Sequence, residues 1–224
     1  MLEITIDIET IPPPMSEEEK RALAAVKVPA TYKKKESIEK WIDANYLEQW
    51  QRLALDHHRA VVVAIGCEVH GGRKGCMLAD PAVADPEREL FQRLELWVKA
   101  NNHTGIRWVG HNIAGFDLPM IFKRAVKYGC SALARATFIS KPWDTRAADT
   151  MLMWPGSKWS KLDDIAEFLG IERPPGWENE GNHGDQVLAL WEAGYTEQIG
   201  IACMSDVELT TEIARRLRSV GGTW

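Results

Sequence analysis

The sequence predicts an α/β fold built on a mixed sheet, and three observations predict it. Leu2, Ile4, Ile6 and Ile8 alternate with other residues, and Ile11 lies beyond, which is the period of a strand. Arg59–Val69 is rich in β-branched residues, Gly71-Gly72 offers a turn, and Arg73–Ala79 returns as a partner strand. Ile106–Gly110 is another strand, and a helical pattern follows it directly. The first three strands should therefore be antiparallel and the later ones parallel, joined by crossover helices that flank the sheet. The first strand belongs near its centre.

The remaining elements follow in order. Pro12-Pro13-Pro14 ends the first strand, and Ser16 with Glu19 is a capping box opening a helix over Glu17–Val26. Ser37–Leu55 is a second helix, with Ile38, Trp41, Ile42 and Leu53 at helical spacing. Glu87–Asn101 is helical, with Leu90, Phe91, Leu94 and Val98 on one face. The helix after the Ile106 strand runs to Lys127 or Tyr128. Thr137–Ile139 reads as a short strand or loop, and Trp143–Thr150 holds a short strand. Leu162–Leu169 is a short helix, Arg173–Gly184 a long polar loop, and Asp185–Ala193 and Thr196–Arg218 are closing helices.

Length and composition bound the function. At 224 residues and 45% hydrophobic content, the chain suits one domain over residues 1–224 with a helical insertion at about 16–58. No apolar run reaches membrane-spanning length and no signal region is visible, so a cytoplasmic location is expected. A net charge of −5 gives no global basic field, so any nucleic-acid partner must be held locally. Lys33-Lys34-Lys35 reads as solvated surface. Most of the ten tryptophans are expected in the core or at an interface. The four cysteines lack metal-ligand spacing, and Cys67 and Cys76 are expected to face each other across the hairpin as a reduced pair.

The chemistry concentrates in acids. Asp7 and Glu9 lie one residue apart on a strand, so both point to one face, opposite the isoleucines. Two adjacent carboxylates repel, and a hard divalent cation such as Mg²⁺ or Mn²⁺ relieves them. Asp117 follows a strand and opens a helix, where open α/β sheets place ligands, and Asn112 shares that loop. Asp206 lies in the last helix.

Asp7-Ile8-Glu9-Thr10 resembles the first motif of the DEDD, or DnaQ-like, 3′–5′ exonucleases. Asn112-Ile113-Ala114-Gly115-Phe116-Asp117 resembles their second, and Asp206 falls where the third supplies its final Asp. The nearer likeness is to the predicted exonucleases related to family B DNA polymerase proofreading domains. It is carried by Ala54-Leu55-Asp56 leading to Val63-Ala64-Ile65-Gly66, by Gly110-His111-Asn112 with Gly115-Phe116-Asp117-Leu118-Pro119, and by Leu162-Asp163-Asp164 before Leu169-Gly170-Ile171. The resemblance implies a ribonuclease H-like fold and a metal-dependent nuclease acting on 3′ ends of single-stranded nucleic acid, with DNA favoured over RNA. It implies that Asp7, Glu9, Asp117 and Asp206 hold two divalent cations, with Asp7 bridging both. Thr10, Ile11, Asn112 and Phe116 would contact substrate. His111 reads as structural, and Asp149 as a supporting group or helix cap. Lys158 and Lys161, near Trp159, are candidate phosphate contacts, with solvated surface as the alternative. Asp163 and Asp164 read as first-turn helix acids.

One departure stands out. The family's third motif carries a Tyr four residues before its last Asp, or a His five before, to position the attacking water. Here those positions are Ala202 and Ile201. His183 or Tyr195 is a candidate substitute, Tyr195 otherwise being a packing residue. The chain is otherwise an attenuated enzyme or an end-binding protein. A Tyr placed at Ala202 is expected to speed the reaction.

Overall fold

β1 (Leu2–Ile11) is the middle of five strands in the order β3-β2-β1-β4-β5. The computed structural model describes all residues except 102–104, 140, 142–143, 155–158, 177–182 and 221–224, and of His183 only the backbone. β1 pairs antiparallel with β2 (Val61–Val69), which pairs antiparallel with β3 (Lys74–Leu78). On its other side β1 runs parallel to β4 (Ile106–Gly110), and β4 to β5 (Ala147–Asp149). The mixed sheet has the strand directions that the sequence predicts.

Between β1 and β2 come α1 (Glu17–Ala25), α2 (Lys35–Gln51) and a 3₁₀ turn (Arg52–Leu55). The Ser16–Glu19 capping box opens α1, with both reciprocal bonds formed. Lys33 and Lys34 are exposed, as is Lys35, which begins α2. The expected single helix over Ser37–Leu55 is broken at Gln51. From there the chain tightens into the 3₁₀ turn, and Thr10 Oγ1 donates to Ala54 O at 2.6 Å to tie that turn to β1.

α3 (Pro86–Asn101), α4 (Asp117–Tyr128) and α5 (Ser131–Thr137) follow. They send Leu90, Phe91, Leu94, Leu118, Ile121 and Leu133 into the core that also holds Ile4, Ile6, Ile8 and Ile65. α5, not expected from the sequence, ends at Thr137, and Phe138–Ile139 follow as loop, one of the two alternatives expected over Thr137–Ile139. Its first N–H groups are satisfied from a distance: Glu95 on α3 accepts from Ala132 N and Leu133 N, at 3.2 and 2.7 Å. α6 (Thr150–Met153), α7 (Leu162–Leu169), α8 (His183–Glu192) and α9 (Thr196–Ser219) complete the chain. No helix among the described residues is long and apolar enough to cross a membrane.

α9 lies across one face of β1, β2 and β3. Thr211 Oγ1 donates to Thr5 Oγ1 at 2.8 Å, so the odd-numbered residues of β1 face this helix. Gly66 permits the approach: a Cβ there would lie 2.9 Å from both Cys203 Sγ and Val207 Cγ2.

Two expectations are corrected. Cys67 stands opposite Gly75 and Cys76 opposite Gly66, so the two cysteines point to opposite faces. Cys76 instead shares a hydrogen bond with Cys203 on α9, and all four cysteines are free. Of the described tryptophans only Trp50 and Trp108 are buried, and Trp159 is largely exposed. The others lie half-buried along the periphery.

Candidate active site

The acids meet where β1 leaves the sheet. The β1–β4 pairing ends at Thr5 and Val109, so Ile8 N–H extends past the end of β4. Asp117, the first residue of α4, fills the gap by accepting Ile8 N–H at 3.2 Å. This bond draws a carboxylate that is distant in sequence to the side of Asp7. The β1–β2 register shifts between Glu9 and Thr10, which leaves Val63 as an extra residue and bends the strand just after the acid pair.

The loop before Asp117 is built by other polar groups. Asn112 takes a left-handed φ of 55°, and Gly115 N and Phe116 N donate to its carbonyl at 3.0 and 2.9 Å. Gly115 is required there, since a Cβ would sit 2.5 Å from Asn112 Oδ1. Asp149 accepts from Asn112 N and Ala114 N and caps α6 through Met151 N, so it supports the loop as its sequence context suggests. His111 bonds Thr150 Oγ1 and Ser160 O through its two ring nitrogens. Burial lowers its pKa, and it is structural.

Electrostatics bind the four carboxylates into one unit. Burial raises the Asp7 pKa well above the ordinary range, and the charges of Asp117, Glu9 and Asp206 raise it further. Glu9 is raised by burial, then by Asp206 and Asp117. Asp117 is pushed up to about 7, mainly by burial. All four acids named from the sequence thus lie near enough to act on one another's charge, though Asp117 and Asp206 stand outside the tightest group of ligand atoms among the described residues. Cys203 joins them: its thiol lies 3.7 Å from Asp7 Oδ2, and one ligand atom from each of Asp7, Glu9 and Cys203 falls within 4.8 Å of the others. Its hydrogen bond with Cys76, then burial and the neighbouring acids, push its pKa well up and hold the thiol protonated.

Sequence reasoning missed Arg173. Its guanidinium pairs with Asp206, reaches Asp163 at 2.6 Å and lowers the Glu9 pKa. Asp163 is therefore an ion-pair partner as well as a first-turn acid. No pattern in the Pro/Gly-rich stretch around Arg173 marks this contact; only α9 lying beside that stretch creates it. Among the described residues, no donor reaches the Glu9 carboxylate within hydrogen-bonding distance. Buried carboxylates are kept ionised by pairing or by metal. One arginine does not balance four acids, and the oxygen-only donors beside a protonated thiol fit a hard divalent cation.

The other expected site residues fare differently. Phe116 is half-buried, with its ring 5.5 Å from that of His57. The Asn112 side chain is folded into its own turn. Thr10 and Ile11 are 7% and 5% exposed, and the Thr10 hydroxyl is already engaged by Ala54 O. Lys161 lies at the start of α7, and Lys158 is outside the described residues.

Of the two positions proposed for a substitute Tyr or His, the structure describes the side chain of Tyr195 alone. The His183 side chain is outside the described residues. Tyr195, expected as a packing residue, is 57% exposed at the start of α9. It stands about 16 Å along the helix from Asp206 at the usual rise per residue. Ala202 is fully buried, and Gly176 packs against it with a hypothetical Cβ 3.1 Å from Ala202 Cα. A phenol ring at this fully buried position must displace packed neighbours, a cost that opposes the gain expected from adding Tyr.

A five-stranded mixed sheet with buried acids at the end of its central strand defines an α/β domain consistent with the ribonuclease H-like exonuclease fold. The chain belongs to the family described as predicted 3′–5′ exonuclease related to the exonuclease domain of PolB, whose model matches residues 50–222. That match takes in Asn112, Phe116, Asp117 and Asp206 and begins after Asp7 and Glu9. The structure is similar to the family B DNA polymerase from the hyperthermophilic archaeon Pyrobaculum calidifontis, with a TM-score of 0.57 and 18% identity. The likeness covers 97% of this chain and 24% of the polymerase, so the chain spans about a quarter of that protein's length. A search of curated proteins finds no significant match.

Proposed function

We propose that the chain is a metal-dependent 3′–5′ exonuclease that hydrolyses phosphodiester bonds at single-stranded 3′ ends, with DNA favoured over RNA. The whole of 1–224 acts as one exonuclease domain, with the helical segment between β1 and β2 as its insertion. The carrying observation is that Asp7, Glu9, Asp117 and Asp206, from three elements, are buried or half-buried close enough to repel one another. Asp7 and Glu9 present their carboxylates from the end of β1, Asp117 from the start of α4 and Asp206 from α9. These are the residues that would hold two Mg²⁺ or Mn²⁺ ions. Bound there, the ions supply water activation and shield the charge on the scissile phosphate and leaving oxygen. The backbone at Thr10 and Ile11 meets the terminal nucleotide, and Phe116 stacks beside the next.

A second reading has its own observation. Ala202 is buried under the 174–176 segment where a water-positioning group is expected. This favours an attenuated enzyme that binds ends tightly and cleaves them slowly. A positioned general base contributes about 10²–10⁴-fold, which sets the scale of the attenuation.

The test is digestion of 3′-extended DNA and RNA with Mg²⁺ or Mn²⁺. The wild type is expected to release nucleotides from the 3′ end, and Asp7→Ala to release none. Ala202→Tyr is expected to be no faster than wild type. Hydrolysis that persists undiminished in EDTA, or in Asp7→Ala, removes the nuclease reading.

A further inference from the structure

A second cluster lies beside Phe116, and it is basic. His57 in the loop before β2 places its ring 5.5 Å from the Phe116 ring and its Nδ1 3.4 Å from Lys123 Nζ. His58 brings Nε2 to 3.4 Å from the same ammonium. Lys123 follows Phe116 by seven residues, so both lie on one side of α4, about two turns or 10 Å apart. His57 fills the space between them.

The loop is held in this position. The buried Arg124 guanidinium donates to His57 O at 2.8 Å and to Ala60 O, while Glu87 accepts from its Nε at 2.7 Å. Arg124 is thereby paired with an acid, whereas Lys123 meets the two imidazoles. Among the described residues, no carboxylate pairs with Lys123. The groups acting on His57 are Lys123, His58, Asp56 and Arg124. Asp56 is the only acid, and its carboxylate already accepts His58 N at 2.8 Å and Arg59 N at 3.1 Å. Burial and the adjacent ammonium hold His57 below its ordinary pKa. Three basic side chains are thus packed around one point, and the one acid acting on His57, Asp56, has its carboxylate already turned to backbone N–H groups, in a chain whose net charge is −5.

We infer that His57, His58 and Lys123 form a binding site for a backbone phosphodiester of the nucleic-acid strand, upstream of the bond to be cut. This rests on the exonuclease reading above and extends it. A phosphate anion accepts from Lys123 Nζ and from the ring N–H groups of the two imidazoles, and its charge pairs with the Lys123 ammonium. The Phe116 and His57 rings give the neighbouring base an aromatic surface. The strand then has a path from the acid cluster, past Phe116, to a cationic seat about two helical turns away. Such a seat supplies locally the electrostatic hold that the overall charge denies.

The experiment is equilibrium binding of a 5′-fluorescein oligothymidylate by anisotropy in EDTA, so that no cleavage is needed. Wild type, Lys123→Met, Lys123→Arg and His58→Gln are compared between 50 and 200 mM salt. Loss of one phosphate contact to a single strand lowers the log–log salt slope by about 0.7. Wild type should therefore lose about 2.6-fold more affinity than Lys123→Met across that range. Lys123→Arg should keep the wild-type slope, and His58→Gln, an exposed change that leaves the fold alone, should weaken binding in the same direction. Equal slopes and affinities for wild type and Lys123→Met overturn the phosphate site but leave the exonuclease reading intact. A wild type that cleaves no 3′ end with Mg²⁺ or Mn²⁺, yet binds the oligonucleotide through Lys123, removes the exonuclease reading and keeps this site. A wild type that binds no oligonucleotide removes the site.

Discussion

Replacing Arg173 by Met should tighten divalent-ion binding. The Arg173 guanidinium pairs with Asp206, and the two side chains are only 20% and 14% exposed. A unit ion pair at ~4 Å and an effective dielectric constant of ~20 is worth about 4 kcal/mol before desolvation. Desolvation cancels much of that attraction. What remains opposes any cation that needs Asp206, because the arginine must be displaced or share the carboxylate. Competition of this kind has a typical coupling of about 1–3 kcal/mol, or about 5–150-fold in affinity. Calorimetric titration of Mn²⁺ without nucleic acid measures it directly. Arg173→Met should bind Mn²⁺ at least about fivefold more tightly than wild type, and Arg173→Lys should lie between them. Equal or weaker binding in Arg173→Met refutes the reasoning, for then Arg173 supports the cation site rather than competing for it.

Three other changes probe the fold around the site. Asp7→Asn removes a buried charge that Asp117, Glu9 and Asp206 all oppose. It should raise Tm by about 2–4 °C for a gain of about 1 kcal/mol while abolishing hydrolysis, and a lowered Tm would contradict the mutual repulsion. Gly66→Val drives a side chain into Cys203 and Val207. Urea unfolding should show a loss of about 1–3 kcal/mol, and an unchanged midpoint would mean that α9 stands further off the sheet. Glu95 has its pKa raised by burial, but the N–H groups of Leu133 and Ala132 and the Lys99 ammonium outweigh this and hold it below the ordinary value. Its stabilising effect is therefore complete above its unfolded pKa, about 4.3, and is lost as pH falls through the depressed folded value. Glu95→Gln should cost about 1–2 kcal/mol at pH 7 and much less at pH 3, and the same loss at both would show that the charge plays no part.

Much of the sheet was legible because its strands carry their period openly. The isoleucines of β1 and the valines of β2 alternate or cluster as strands must, and Gly71-Gly72 marks the hairpin. Asp7 and Glu9 share a face for the same reason. Asp117 and Asp206 were legible through resemblance to known motifs; nothing local in the sequence says that Asp117 will accept Ile8 N–H. α5 was missed because its seven residues are held by Glu95, a tertiary contact that no window around Ser131 contains. The cysteine pairing failed on register: one residue of shift moves a side chain to the other face, and turn residues alone do not fix that shift. Arg173 and the His57–Lys123 cluster were invisible because each depends on two distant segments meeting.

The parallel pairing of β1 with β4 also has a consequence in time. During synthesis β1 leaves the ribosome well before its lateral partner β4 and the helix bearing Asp206. Loop closure across such separations is slow. A half-finished polypeptide thus holds Asp7 and Glu9 but not the rest of the proposed ion cage, and a nascent chain would be harmless to any nucleic acid near it until its last helix docks.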